Sequence, residues 1–366
     1  MRLLYVNADP GIPFHGPKGA SVHVRRITQA LARRAESVEV VAARRGRPET
    51  GDGIRILVPE SSSAPRPDAS AAAVTREADA LLRDEALASA LDHRLARGDV
   101  DVIWERYSLW STAAANAAAR TGVPWVLEVN APLAEEAARH RSLALPGLAG
   151  YLQRERWRSA SAVFAVSREL AETIVRSGAD PARVHVLPNG YDDRTFRRRP
   201  AAANGARSQA GPFTVAFVGS LKPWHGVDRL VDAFLRLRSV DADWRLLLIG
   251  DGPLAGPLRQ RLEQSAPEGS FEITGAVPHD DVPRRLAAAD VAVAPYPPSD
   301  DFYFSPLKVV EYAALGLPIV ASRIGQIAEL LENGRSALLT EPGDIDDLAG
   351  ALRRLRDDGA LRAALG

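Results

Sequence analysis

The chain of 366 residues contains no cysteine and a single methionine. Without cysteine there is no disulfide framework, no thiolate nucleophile and no cysteine metal site. No run approaches the ~18 apolar residues that a membrane span needs. The chain enters an apolar strand directly at Arg2, without a signal-peptide pattern, so a cytoplasmic location is expected. The 46 basic and 46 acidic residues cancel, which argues against broad nucleic-acid binding. The seven histidines are dispersed, with no HExxH or other paired spacing, so no metal site is expected. GxGxxG, the P-loop ending Gly-Lys-Ser/Thr and the GxSxG elbow are all missing. Dinucleotide oxidoreductases, P-loop enzymes and serine hydrolases are thereby disfavoured.

Lysine is scarce as well. Only Lys18, Lys222 and Lys308 occur, and every other basic residue is arginine. All three lie in loops or helix starts beside Gly or Pro, where a compact cation on a flexible stem can face a phosphate group.

The stretch Ser305–Ser322 organises the rest. Its pattern predicts a helix capped by Ser305, with Pro306 at the first helical position and Val309, Val310, Ala313 and Ala314 on one face. Gly316 stops it, and Leu317–Ser322 reads as a buried strand. The free N–H groups of this helix start would form an anion site, with the Lys308 charge added. Glu311 lies just behind, where a carboxylate can accept from two neighbouring ribose hydroxyls. A capped amphipathic helix of any α/β domain fits the same residues.

The remaining chain repeats one theme. Strand Arg2–Asn7, the glycine-containing loop Ala8–Ser21, a helix capped by Ser21 and strand Val38–Ala42 make a βαβ unit. Further buried strands are expected at Val100–Glu105, Pro124–Val129, Val163–Val166 and His185–Leu187. Glu60–Ser70 reads as a surface loop, and Arg197–Gly211 as a linker. The opening pattern then returns with strand Phe213–Gly219, loop Ser220–Gly226, helix Val227–Leu237 and strand Trp244–Ile249. The expectation is two doubly wound α/β domains, residues 1–196 and 212–366, facing a central cleft and binding ligands at the carboxyl ends of their strands.

At those ends, Gly219 and Ser220 let backbone approach a ligand closely, and Lys222 and His225 can both reach a diphosphate. In the first domain, Lys18 and Gly19 would turn a cation and amides toward the cleft. Asp9, Glu105, Glu128 and Asn130 fall at strand ends, Glu135 at the next helix start and His23 inside the first helix. Such an acidic rim suits a polyol or amine-bearing acceptor; ordinary capping and surface charge account for the same residues.

These motifs together resemble the retaining glycosyltransferases of family 4, which have the two-domain GT-B fold and use nucleotide-diphosphate sugars. The resemblance covers nearly the whole chain. It rests on Gly19 and His23, on Ala165–Phe196 and Phe217–Phe234, and on Leu247–Leu254, Gly275–Pro295 and Ser305–Ser322. It implies that Glu311 holds the donor ribose, that the Gly19 backbone meets the diphosphate, that the Val277 backbone pairs with the nucleobase, and that Pro306–Lys308 form the helix start whose free amides hold phosphate. No cofactor is implied beyond the co-substrate, for which UDP is favoured over GDP. The implied partners are a nucleotide-sugar donor and a small-molecule or glycan acceptor, with a lipid-linked acceptor at a membrane surface the weaker choice.

The chain also departs from the family pattern. Ser220 and His225 replace the usual Arg and Lys of the phosphate loop, so Lys222 would supply charge. Tyr303 replaces the first motif glutamate, with Asp300 or Asp301 as substitute, and Asn130 replaces a strand-end histidine. The family's C-terminal crossover helix is expected to be missing. Catalysis would therefore fall to Lys222, His225, Asp301 and Asn130, without metal and without a protein nucleophile. Two rivals stay open: a nucleotide-sugar epimerase, which would interconvert sugars without an acceptor, and a degenerate GT-B protein that binds without turnover.

Overall fold

The computed structural model describes residues 1–16, 19–47, 53–59, 72–198 and 211–366. Lys18, the segment Glu60–Ser70 and the linker from 199 to 210 lie outside the described residues. The chain forms two compact units, Met1–Pro188 and Asn189–Gly366.

The first unit is built on a sheet of seven parallel strands. These are β1 (Arg2–Asn7), β2 (Ser37–Ala42), β3 (Arg55–Leu57), β4 (Val102–Arg106), β5 (Trp125–Val129), β6 (Ala162–Ala165) and β7 (Val184–Val186). Their spatial order is β3-β2-β1-β4-β5-β6-β7, so the winding reverses between β1 and β4, and Asn7 and Arg106 end as register partners there. The strands are near-continuous apolar runs because helices cover both faces of the sheet. The first helix spans Gly19–Ala32, so Ser21 lies inside it and not at its cap; the Ser21 hydroxyl is buried with no hydrogen-bond partner among the described residues.

The second unit repeats the plan with six parallel strands. They are β8 (Phe213–Val218), β9 (Trp244–Ile249), β10 (Phe271–Ile273), β11 (Val291–Ala294), β12 (Ile319–Ser322) and β13 (Leu338–Thr340), in the order β10-β9-β8-β11-β12-β13. Alternation along β8 divides the core. Phe213, Val215 and Phe217 pack under the helices Val227–Val240 and Ile345–Asp357, while Ala216 faces Val309, Tyr312 and Leu317. Phe196, expected at the end of the first domain, is 1% exposed in this second core, which draws the segment from Asn189 onward into the second unit. One large ring buried against the β11–β12 face outweighs the turn-like polar sequence around it.

Strand alternation also decides where Glu105 goes. Glu128 pairs in register with Arg106, and its neighbour Glu105 therefore projects from the opposite face. There it is fully buried, accepts from Trp125 Nε1 at 3.0 Å and pairs with Arg156 at 2.5 Å, beneath the helix Pro146–Ser159. Burial raises its pKa and Arg156 opposes the shift. The expected place of Glu105 on an acceptor rim is corrected: it is an internal ion pair. Glu105→Ala should leave Arg156 buried and unpaired and cost about 3–5 kcal/mol of stability by urea unfolding. A loss below about 1 kcal/mol would contradict the assignment.

Candidate functional site

In the second unit the winding reverses between β8 and β11, and ligands of open α/β sheets lodge beyond the carboxyl ends at such a point. The ends are held by side chains and backbone together. The Val218 N–H at the close of β8 donates to the buried Tyr312 hydroxyl at 2.8 Å. Gly219 follows with φ +141°, and a Cβ there would stand 3.1 Å from Lys308 Cε and 3.3 Å from Nζ. Gly219 is thus glycine because the lysine amine lies against its backbone. Leu221 N–H donates to the Asp251 carbonyl at 2.9 Å, tying the loop to the end of β9. At the far end Gly226 has φ +67°, and any side chain would collide with the Pro295 carbonyl just past β11.

Lys308 is 8% exposed, near the start of the helix Leu307–Ala314. Its amine donates to the Tyr296 hydroxyl at 3.0 Å and lies 4.8 Å and 4.9 Å from the ring centroids of Phe217 and Tyr296. Among the described residues no carboxylate comes within ion-pair distance of it. Burial lowers its pKa to about 7, against the pull of the Glu311 charge. The Tyr296 phenol is pushed up by its own burial and keeps its proton.

His225 also lies in this loop. Its Nδ1 donates to the Ser220 carbonyl at 2.6 Å, which fixes the tautomer of the neutral ring and leaves Nε2 as an acceptor. Burial first, and then Lys308, lower its pKa to about 3. His225 is therefore neutral near pH 7. Lys222 holds its amine 4.6 Å over the half-exposed ring of Trp224.

The helix start differs from expectation. Pro306 takes the cap position without a side-chain cap bond, and the helix begins at Leu307. Ser305 instead serves Asn189, accepting its backbone N–H on Oγ at 2.9 Å and its Nδ2 on the carbonyl at 2.7 Å. The first amides of the helix, at Leu307 and Lys308, keep the geometry of an anion site. Glu311, one turn on, is 5% exposed and accepts from His279 Nε2 at 2.7 Å. Val277, two residues before His279, has backbone groups that meet no acceptor or donor among the described residues. Asp301 lies exposed in a turn, its carbonyl accepting from Tyr303 N–H at 3.0 Å. The Tyr303 ring lies 4.5 Å from that of Phe304, tilted by 39°, and the contact continues edge-on through Phe302 to Tyr296.

The first unit gathers a second polar cluster at the ends of its strands. Glu128 is 2% exposed and receives five donors: His23 Nε2 at 2.6 Å, Asn130 Nδ2 at 2.7 Å, Trp104 Nε1 at 3.1 Å, Arg106 Nη1 at 3.2 Å and the Tyr5 hydroxyl at 3.3 Å. Burial alone would raise its pKa, but His23, Arg106 and Asn130 together hold it well below the carboxylate range. Both oxygens are committed, so Glu128 orients His23 and Asn130 and does not itself reach outward. Glu135 is exposed and accepts from Gln153 Nε2 at 2.7 Å. Asp9 folds back on Gly11 N–H at 2.7 Å. Gly19 opens the first helix, and a Cβ there would meet nothing within 4 Å.

Four functional positions escaped the sequence. Asn189 reads only as a turn residue before Gly190, Tyr296 and Tyr312 as core aromatics, and His279 as one more dispersed histidine. Each acts across 12 residues or more of sequence, where periodicity carries no information.

Two family models divide the chain. The Glycosyltransferase Family 4 model matches residues 17–195, and the Glycosyl transferases group 1 model matches residues 212–358. The chain belongs to the glycosyltransferases of family 4. D-inositol 3-phosphate glycosyltransferase of Pseudarthrobacter chlorophenolicus is 33% identical over 210 residues, 55% of this chain and 48% of that protein. The aligned part thus spans about half the length of that relative. The enzyme of the same name from Acidothermus cellulolyticus is 29% identical over 397 residues, covering 100% of this chain and 84% of that one. Among solved structures, HepE of Anabaena in complex with UDP and glucose superposes with a TM-score of 0.73 at 21% identity, over 100% of this chain and 92% of its own. That likeness shows the GT-B fold.

The buried lysine has a pH signature. Its folded pKa, about 7, is below the unfolded value, so the unfolded chain binds the extra proton from about pH 7 to about pH 10.5. The cost of burying the charge is full below pH 7 and is relieved as pH rises through that window. The stability advantage of Lys308→Met over wild type, by urea unfolding, should shrink between pH 7 and pH 10. A constant difference would contradict the burial of an uncompensated amine.

Proposed function

We propose that this protein transfers a hexose or N-acetylhexosamine from a UDP-sugar to a hydroxyl of a small-molecule or glycan acceptor, retaining the anomeric configuration. One observation carries the reading. At the carboxyl end of β8, Lys308 is buried against Gly219, beside a tyrosine hydroxyl and two aromatic faces and with no ion-pair partner among the described residues. A lysine so placed is a cation held for an anion. The family membership and the complex of HepE with UDP and glucose support the choice of anion.

In this reading the diphosphate lies over Gly219 and Ser220, on the amides of Leu307 and Lys308, with Lys222 at its flank. The ribose lies on Glu311 and the base on the Val277 backbone. Breaking the glycosyl–phosphate bond develops positive charge at the sugar carbon and negative charge on the leaving diphosphate. Lys308 and the amides stabilise the latter, each such donor accounting for roughly 100- to 1000-fold in rate. The acceptor hydroxyl attacks from the face the diphosphate leaves, and its proton passes to the departing phosphate oxygen. His225, neutral at rest, becomes a donor at Nε2 once the diphosphate favours its protonation. On the first domain, His23 and Asn130, held by Glu128, are assigned to the acceptor.

Thermal melting with a panel of nucleoside diphosphates and their sugars in EDTA tests the reading. Uridine ligands should raise the melting temperature of wild type by mass action. The shift should shrink in Lys308→Met and in Glu311→Ala. No shift with any nucleotide would overturn the donor site, and binding without transfer to any acceptor would favour the degenerate form, which Tyr303 in place of the family's acid already invites.

A further inference from the structure

We propose that His279 is a positioning residue for nucleotide recognition, setting the Glu311 carboxylate so that it selects a ligand bearing an intact ribose diol. The inference rests on the donor reading above and extends it to His279, which has no role of its own in that reading.

Glu311 is an acid in a dry place. It is 5% exposed, and an ionised carboxylate at such a depth needs donors of its own. Lys308, on the same helix, donates to Tyr296 and makes no hydrogen bond to Glu311 among the described residues. The only hydrogen bond to the Glu311 side chain among the described residues is His279 Nε2 to Oε1, at 2.7 Å. A carboxylate only accepts, so Nε2 carries the proton. That bond occupies one oxygen and fixes the rotation of the carboxylate about its last torsion, which is otherwise broad. Oε2 is left in a set direction with no partner among the described residues, free to accept from a vicinal diol.

The histidine is itself held from behind. Its ring lies 5.0 Å from the buried Phe196 ring, and its Nδ1 is buried with no hydrogen-bond partner among the described residues. No other polar contact among the described residues locates the imidazole, so the pair is mutually dependent. The 3-10 turn His279–Asp281 begins two residues past Val277, whose backbone is assigned to the base. One hydrogen bond therefore ties the base-reading segment to the ribose-reading acid. Binding a base without its diol, or the diol without its base, would forgo that link.

The test is the ratio of affinities for UDP and 2′-deoxy-UDP, by calorimetry, in wild type, His279→Phe and His279→Gln. The phenyl ring keeps the packing on Phe196 and removes the donor; the glutamine amide places a donor where Nε2 stood. Wild type should prefer UDP by about tenfold or more, the usual scale for a hydrogen bond to a charged acceptor. In His279→Phe the preference should fall to about twofold or less, and in His279→Gln it should return to within about threefold of wild type. A packing role alone would weaken both ligands equally and leave the ratio unchanged. An unchanged ratio in His279→Phe overturns the proposal; so does a lost ratio in a folded His279→Gln, which has the donor. If wild type binds UDP but shows no preference, Glu311 does not read the ribose and the proposal falls. If wild type binds neither ligand, the donor reading fails first and takes this inference with it.

Discussion

The second domain is arranged around a buried cation. Lys308 lies between Phe217 and Tyr296 with no carboxylate within ion-pair distance among the described residues, an arrangement that costs stability whenever the amine is charged. Several features around it make sense only as accommodation. Gly219 has no side chain because the amine occupies the space where one would go. The Tyr312 hydroxyl anchors the last N–H of β8, and Gly226 lets the loop press against the end of β11. Tyr296 keeps its proton and offers an oxygen that satisfies the lysine without neutralising it. Nothing in the packing calls for a charge at this point, and an anion arriving at the helix start would find it already desolvated.

The first domain manages charge in the opposite way. Glu128 is as deeply buried as Lys308 but is saturated by five donors drawn from β1, β4, the first helix and the residue after β5. A carboxylate saturated in this way rigidifies what it holds. Its outward products are a histidine and an asparagine of fixed orientation, and the carboxylate itself stays inside. The acidic character of the sequence in this region is therefore internal, with Glu105 given to Arg156 and Glu128 to its donors.

Much of this was legible in the residues. The parallel strands announce themselves as short apolar runs, and Gly219, Lys308 and Glu311 stand out because glycine, lysine and acid occur where a helix start meets a strand end. What stayed hidden has physical causes. Composition cannot say which side of a strand an acid takes, so Glu105 and Glu128, both at strand ends, read alike until register separates them. A serine before a proline reads as a cap, and only the fold brings Asn189 to take it. The three-residue strands β3 and β13 are too short to show a period. Phe196 sits in a polar turn, and its burial in the second core is a tertiary event with no local trace.

The most direct measurement is a crystal structure of the protein with UDP. The account expects a β-phosphate oxygen within about 3 Å of Lys308 Nζ and of the Leu307 and Lys308 amides, with the ribose hydroxyls on Glu311. An ordered UDP elsewhere, with the Lys308 amine still resting on Tyr296 alone, would contradict it.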